Sequence, residues 1–134
     1  MATQFSPLPS IGDIIWCHFP QAPELGNPGP KPRPALVVKV SPSTGEIAVI
    51  YGTSKKTNKI YPTEFVMDPS DRDFNVSGLS HRTKFDCAAE VVLPFDSDWF
   101  ADAPIFPKLQ PKPKLGFLHP SYIPALLEAV KNKP

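Results

Sequence analysis

The residues with the clearest potential for chemistry are an arginine and two hydroxyl side chains near the ends of neighbouring predicted strands. Arg33 stands between Pro32 and Pro34, directly before the apolar run Ala35–Val40. Prolines on both sides restrict the backbone, so the guanidinium is expected to project from a stiff strand entrance. An arginine presents five donors in a planar fork that matches phosphate, and it stays charged at every working pH. Arg33 is therefore a candidate phosphate-binding residue.

Thr53 and Ser54 follow the apolar run Glu46–Tyr51. A short turn that contains glycine, Ser41–Gly45, joins this run to the one that follows Arg33, and such a pattern predicts a β-hairpin. A hairpin places the start of one strand beside the end of the next, so either hydroxyl is expected near the guanidinium. The alternative is an ordinary turn, with a solvated arginine and a hydroxyl that bonds its own backbone.

Positive charge surrounds these positions although the chain as a whole is nearly neutral. The formal net charge is +1, from 14 basic and 13 acidic residues. Residues 31–61 carry six basic side chains against one acidic one, whereas residues 62–102 carry three against nine. Sign asymmetry of this kind is typical of an anion-binding face, with solvated surface charge as the alternative. Lys31, Lys55 and Lys56 are the candidate phosphate contacts of such a face.

No known metal or cofactor motif accompanies these residues. The sequence lacks a phosphate-cradling glycine loop, a paired-cysteine zinc spacing and an H-E-x-x-H motif. His18, His81 and His119 lie far apart without ligand spacing, so we expect neither a metal nor a cofactor. His81, in a polar loop, is compatible with a general base, although a surface histidine is the simpler interpretation. Cys17 and Cys87 belong to no motif, which predicts reduced thiols in a cytoplasmic protein.

Composition indicates which fold positions these side chains. Prolines interrupt helices and central strands, so 19 prolines among 134 residues exclude a helical bundle or a coiled coil. Twelve of them fall in residues 20–34 and 104–124, outside the predicted strands. The length favours one domain over residues 1–134. Neither a signal peptide nor a membrane-spanning segment of about 18 apolar residues is recognisable, so no membrane association is expected.

The pattern predicts six short strands and one helix. The strands are Asp13–Phe19, Ala35–Val40, Glu46–Tyr51, Tyr61–Met67, Thr83–Asp86 and Ala89–Phe95. The helix is Tyr122–Lys131, with Ser121 as its N-cap and an apolar stripe of Ile123, Leu126, Leu127 and Val130. Residues 101–120 show no periodicity and predict an arm or extended loop. These elements favour a mainly β fold, a small bent β-barrel with a C-terminal α-helix.

Several segments together resemble the MazF/PemK family, the toxins of bacterial type II toxin–antitoxin modules. They are Gly12–Trp16 (GDIIW), Arg33–Val37 (RPALV), Gly52–Ser54 (GTS) and Thr83–Asp86 (TKFD), and the resemblance covers roughly residues 11–100. It implies an SH3-like β-barrel of the MazF/PemK/CcdB type over about residues 11–100. A proline-rich extension over about 101–121 and a C-terminal helix over about 122–132 would complete the domain.

The resemblance also implies an activity, the metal-independent cleavage of single-stranded RNA by a toxin-type endoribonuclease. In that family an arginine that opens the second strand and a threonine or serine after the third form the catalytic pair. The matching positions are Arg33 and Thr53. The 2′-hydroxyl of RNA attacks its neighbouring phosphate and leaves a cyclic phosphate and a free 5′-hydroxyl. Ser54, Lys55, Lys56, Lys31 and Trp16 are the expected RNA- or phosphate-binding residues. The implied partners are single-stranded RNA, a cognate antitoxin and a second copy of the chain in a homodimer.

Departures from the family pattern leave two other hypotheses open. The loop before Arg33 is rich in proline, and Lys55 stands two places after Thr53, where many members carry glutamine. One hypothesis is a non-catalytic binding module on the same fold, since some relatives of this fold inhibit a topoisomerase instead of cutting RNA. The other is a ligand of polyproline-binding domains, through the proline-rich residues 20–34 and 104–113.

Overall fold

The two strands that carry Arg33 and Thr53 lie at the centre of one antiparallel sheet. A computed structural model describes residues 2–21, 24 and 26–134. Its strands are β1 Asp13–Cys17, β2 Arg33–Ser41, β3 Glu46–Thr53, β4 Glu64–Met67, β5 Thr83–Pro94 and β6 Lys114–Phe117. Within these residues they form a curled sheet, a half-barrel, in the order β4-β5-β3-β2-β1-β6. With the C-terminal helix α1, Ile123–Lys131, this confirms the predicted mainly β fold.

Apolar residues on both faces of the central strands enter two separate cores. Leu36 of β2 and Ile50 of β3 belong to the core that α1 and β6 cover. Val37 and Val49, their neighbours along the strands, point to the opposite face and pack with Phe95 and other buried residues. Successive side chains of a strand alternate between faces, so burial on both faces requires a continuous apolar run. The apolar runs Ala35–Val40 and Glu46–Tyr51 have this arrangement.

The β2–β3 hairpin is confirmed and brings the start of β2 beside the end of β3. Ala35 is paired with Tyr51 across the ladder, and the hairpin turn contains Gly45 with φ of 74°. Gly52 then lies so close to β2 that an added Cβ would be 2.9 Å from the Pro34 carbonyl oxygen and 2.6 Å from the Phe85 ring. A side chain at this position would force the strands apart, so glycine permits the close approach.

Two of the predicted strands are one strand in the structure. Thr83–Asp86 and Ala89–Phe95 were expected as separate elements, but β5 runs continuously through both. Its register shifts between Ile50, opposite Glu90, and Tyr51, opposite Asp86, so extra residues of β5 bulge out of the ladder. A β-bulge keeps a strand continuous while it interrupts the alternation of side chains. The interruption in the sequence pattern is therefore a bulge and not a strand end.

The proline-rich residues 101–121 are not simply an arm or loop, because they contain β6. This strand pairs with β1, with Asp13 opposite Phe117 and Ile14 opposite Gly116. Only four residues long and preceded by prolines, it is too short to produce a recognisable alternation. The predicted loop over residues 20–34 is the other proline-rich segment, and Ala22, Pro23 and Leu25 within it lie outside the described residues.

The C-terminal helix has the expected position but presents a different face to the core. A 3₁₀ turn, Pro120–Tyr122, precedes it, and the Ser121 backbone N–H donates to His119 Nδ1, so Ser121 is not an N-cap. Tyr122, Leu126 and Ala129 pack on the sheet. Of the predicted apolar stripe Ile123, Leu126, Leu127 and Val130, only Leu126 packs there, and the other three are exposed. None of the described helices is long and apolar enough to cross a membrane.

Candidate active site

A cavity of about 210 Å³ lies at the end of the sheet where β2 begins and β3 ends. Its walls include Trp16 of β1, Arg33 of β2, Thr53 of β3, and Ser54 directly after β3. Sequence analysis singled out all four, and the hairpin register explains why two of them meet. Trp16 joins them because β1 is the other neighbour of β2, with Trp16 opposite Pro34.

Arg33 is the one positively charged residue among the described residues that line this cavity. Its backbone is held in the β1–β2 ladder opposite Cys17, and the residue is half-buried. Its side-chain Nε is buried and has no hydrogen-bond partner among the residues that the structure describes. A buried donor without a partner costs about 1–3 kcal/mol, so this nitrogen does not add to the stability of the fold. No acidic side chain appears among the described lining residues, so the positive charge is not neutralised locally.

The Thr53 hydroxyl is fixed by the turn that follows it. The Lys55 backbone N–H donates to Thr53 Oγ1 at 3.1 Å. This is the local hydroxyl–backbone bond that the ordinary-turn interpretation expects. Because Oγ1 is the acceptor, the hydroxyl hydrogen is left to donate to another group. The local bond therefore orients the hydroxyl without removing its donor. A hydroxyl that bonds its own backbone is thus compatible with phosphate binding by Thr53.

The three candidate lysines flank the cavity in sequence but do not line it. Lys31 precedes the lining residue Pro32, and Lys55 and Lys56 follow the lining residue Ser54. All three are exposed, and none forms an ion pair with a described residue. Exposed lysines beside a phosphate site contribute to the local positive potential more than to a defined contact. Their predicted contact with RNA stays a prediction.

The proline-rich segment closes one side of the cavity, which sequence analysis did not foresee. Pro104, Ile105 and, in β6, Leu115 line it. The segment is tied to Trp16 at both ends, because the Trp16 N–H donates to the Pro113 carbonyl at 2.8 Å and the Ala101 N–H donates to the Trp16 carbonyl at 3.1 Å. No local sequence signal connects these residues to Arg33, since the connection depends on the pairing of β6 with β1.

The loop before β5 also lines the cavity, with Leu79, Ser80 and His81. Arg82 anchors this loop. Its Nη1 donates to Asp68 Oδ2 at 2.7 Å, and its Nε and Nη2 donate to the Thr57 carbonyl. This guanidinium joins the segments after β3 and β4 to the start of β5.

The Asp68–Arg82 contact gives the fold a pH dependence of defined sign. The Ser70 hydroxyl and the Arg82 guanidinium lower the pKa of Asp68 to about 2, from its ordinary value of 3.8. A carboxyl group with a lowered folded-state pKa stabilises the fold above its unfolded pKa, and the stabilisation is lost as the pH falls through the folded value. We expect the difference in unfolding free energy between the wild type and Asp68→Asn to shrink from pH 5 to pH 2 in urea titrations. A constant difference would contradict the assignment.

The other two histidines lie outside the cavity. His18 Nδ1 is 3.0 Å from the Gly29 carbonyl oxygen, and His119 Nδ1 is 3.4 Å from Asp73 Oδ2. Among the described residues, no three His, Cys, Asp or Glu side chains are placed to hold a metal ion. The polar side-chain groups of the described lining residues are thus one guanidinium, hydroxyls, one imidazole and the indole N–H of Trp16. These are groups that can bind a phosphate and move a proton.

Comparison with known protein families shows which family the chain resembles over this part of its length. A family model described as "PemK-like, MazF-like toxin of type II toxin-antitoxin system" matches residues 10–89, more than half of the chain. The matched range includes Trp16, Arg33, Thr53 and His81, whereas Ile105 of the proline-rich wall lies beyond it. A search of the curated proteins gives no match.

Proposed function

The chain belongs to the PemK-like, MazF-like toxins of type II toxin–antitoxin systems, and from this premise we propose that its cavity cleaves single-stranded RNA without a metal ion. One observation carries the proposal. Arg33 forms no ion pair with a described residue, and it lines the same cavity as Thr53. A phosphodiester supplies the oxygens that a guanidinium and a hydroxyl donor need.

In the proposed reaction Arg33 and Thr53 hold the scissile phosphate. The 2′-oxygen forms a bond to phosphorus as it loses its proton, and the bond from phosphorus to the 5′-oxygen breaks. The products are a 2′,3′-cyclic phosphate and a 5′-hydroxyl. Arg33 stabilises the charge that develops on the phosphoryl oxygens, and Thr53 donates a hydrogen bond that keeps the phosphate in line. Positioning and electrostatic stabilisation supply most of the rate in such reactions.

The walls of the cavity favour a single strand as the substrate. Trp16, Leu79 and Ile105 give it apolar surface beside the arginine. Bases that are splayed out of a helix stack on aromatic side chains such as Trp16, whereas the bases of a duplex stay stacked on each other. Exposed Lys55 and Lys56 are available to neighbouring phosphates.

The proposal includes the partners that family membership suggests. An antitoxin is expected because the family consists of toxins of toxin–antitoxin modules. An acidic antitoxin segment would suit the lysine-rich residues 31–61. A homodimer is also proposed, so sedimentation should give twice the 14.7 kDa chain mass.

We place the activity in the cytoplasm, where RNA is available. Buried, unpaired thiols such as Cys17 and Cys87 also stay reduced there.

The proposal is tested by incubating the purified protein with single-stranded and duplex RNA in EDTA. We expect cleavage of the single strand, and a rate about 10²–10³-fold lower in Thr53→Ala because one donor to the phosphate is lost. Thr44→Ala is the matched control. Thr44 Oγ1 also accepts the backbone N–H two residues later, at 3.3 Å, but at the opposite end of the hairpin. Intact RNA at high protein concentration would instead favour the non-catalytic binding module.

A further inference from the structure

The proposed reaction needs a group that accepts the proton of the 2′-hydroxyl. Arg33 is poorly suited to this step, because a guanidinium stays protonated at every working pH. A threonine hydroxyl is not a base at neutral pH either. Imidazole is the side chain whose ordinary pKa, about 6.5, lies closest to neutrality. A neutral imidazole that faces the same phosphate would complete the reaction.

We propose that His81 is this proton acceptor. The inference rests on the proposed function and adds a residue that the catalytic pair does not include. His81 lines the same cavity as Arg33 and Thr53, and it is exposed enough to exchange protons with solvent. Among the described lining residues, Arg33 and His81 are the only two that carry a titratable side chain. The cavity therefore combines a permanent cation, a hydroxyl donor and one imidazole.

The backbone around His81 is fixed on both sides. Gly78 has φ of 72°, and an added Cβ there would be 2.1 Å from the Leu115 carbonyl oxygen, so the loop lies directly on β6. The Leu79 N–H donates to the buried Ser77 hydroxyl at 3.1 Å. On the other side, Thr83 Oγ1 donates to the His81 carbonyl at 2.9 Å. These contacts hold the residue at the cavity wall, as proton transfer within hydrogen-bond reach requires.

The charges around His81 are few. The described cavity residues from β1, β3, β6 and the proline-rich segment are all uncharged, and the charged residue that β2 contributes is Arg33. The adjacent Arg82 is engaged by Asp68 and the Thr57 carbonyl. In the proposed step, the 2′-oxygen passes its proton to an imidazole nitrogen as its bond to phosphorus forms. The departing 5′-oxygen takes a proton from water, and the imidazolium returns its proton to solvent.

The test compares single-turnover cleavage of saturating single-stranded RNA by the wild type and His81→Gln between pH 5 and pH 8.5. For the wild type we expect the rate to rise about tenfold per pH unit below the imidazole pKa and then to level off. His81→Gln should be about 10²–10⁴-fold slower at pH 7.5 and should lack this inflection. Its RNA affinity should stay within about twofold of the wild type. His119→Gln, which changes a histidine outside the cavity, should keep the wild-type profile.

A second variant guards against a merely structural effect. Added imidazole should raise the rate of His81→Ala but not that of Arg33→Ala, since a free base replaces only the missing proton acceptor. Wild-type rate and pH profile in His81→Gln would overturn the role of the histidine and leave the proposed function standing. A wild-type rate that falls as the pH rises through the same range would also overturn it. A wild type that leaves RNA intact would remove the proposed function as well.

Discussion

Replacing Arg33 by alanine is expected to lower single-turnover RNA cleavage by about 10³-fold or more, since a charged donor at a developing phosphoryl charge is lost. The fold should survive the change. The guanidinium Nε is buried without a partner among the described residues, so its removal relieves an unsatisfied donor. The unfolding free energy in urea should therefore be no lower than in the wild type. Loss of activity with unchanged stability is typical of a residue that serves a ligand and not the fold.

Two further variants sharpen this prediction. Arg33→Lys keeps the charge but lacks the planar fork, so it should recover only part of the lost rate. Arg72→Ala removes an exposed arginine that does not line the cavity and should cleave at the wild-type rate. Wild-type cleavage by a folded Arg33→Ala variant would show that the phosphate is bound elsewhere.

Replacing Lys84 by methionine is expected to lower the unfolding free energy by about 3–5 kcal/mol, because it leaves a buried carboxylate without its partner. Lys84 Nζ lies 3.3 Å from Glu64 Oε1, and the two side chains are 8% and 9% exposed. Lys84 Nζ also donates to the Lys59 carbonyl at 2.9 Å. The pair therefore joins β4, β5 and the loop that follows β3, and its loss should destabilise the side of the sheet that carries Thr53.

The double variant Lys84→Met/Glu64→Gln tests the cause of this loss. It removes the buried charge as well as its partner, so its stability should lie closer to the wild type than that of Lys84→Met. Lys55→Met, at an exposed lysine, should change the unfolding free energy by less than about 0.5 kcal/mol. The free energies come from urea titrations at pH 7. A Lys84→Met variant as stable as the Lys55→Met control would contradict the buried pair.

The part of the site that rests on local pairing could be predicted from the sequence. Arg33 and Thr53 belong to one hairpin, and its turn lies between two apolar runs that are close together in the chain. Turn position and alternation are enough to place the two residues at the same end of the sheet. The family resemblance placed the same two residues by motif. Trp16 could also be predicted as a site residue, because its segment, Gly12–Trp16, carries part of that resemblance.

The other walls depend on pairing between distant parts of the chain. Ile105 and Leu115 reach the cavity only because the short strand β6 adds to the edge of β1. His81 reaches it because the Gly78 backbone lies directly on Leu115. A four-residue strand among prolines carries almost no periodic signal, and a contact between two backbones carries none. The helix face was mispredicted for a related reason, since the apolar positions that are buried are those that contact distant strands.

Both proline clusters include a residue that lies next to Trp16. The first cluster, residues 20–34, ends with Pro34, which is paired opposite Trp16 in the sheet. In the second cluster, the Pro113 carbonyl accepts a hydrogen bond from the Trp16 N–H. A proline can form this bond because it does not require a backbone N–H on the proline. Proline-rich chain thus approaches Trp16 from both sides. The polyproline-ligand hypothesis stays a prediction, to be tested by replacing Pro28, Pro30 and Pro32 together.

The most direct test of the central claim is the mass of the RNA fragments that the protein releases in EDTA. Attack by the 2′-hydroxyl predicts 5′ fragments that end in a 2′,3′-cyclic phosphate and 3′ fragments that begin with a 5′-hydroxyl. It also predicts that an all-deoxy oligonucleotide of the same sequence stays intact. Fragments with 3′-hydroxyl and 5′-phosphate ends, or equal cleavage of the deoxy oligonucleotide, would contradict a site built on Arg33 and Thr53 for this reaction.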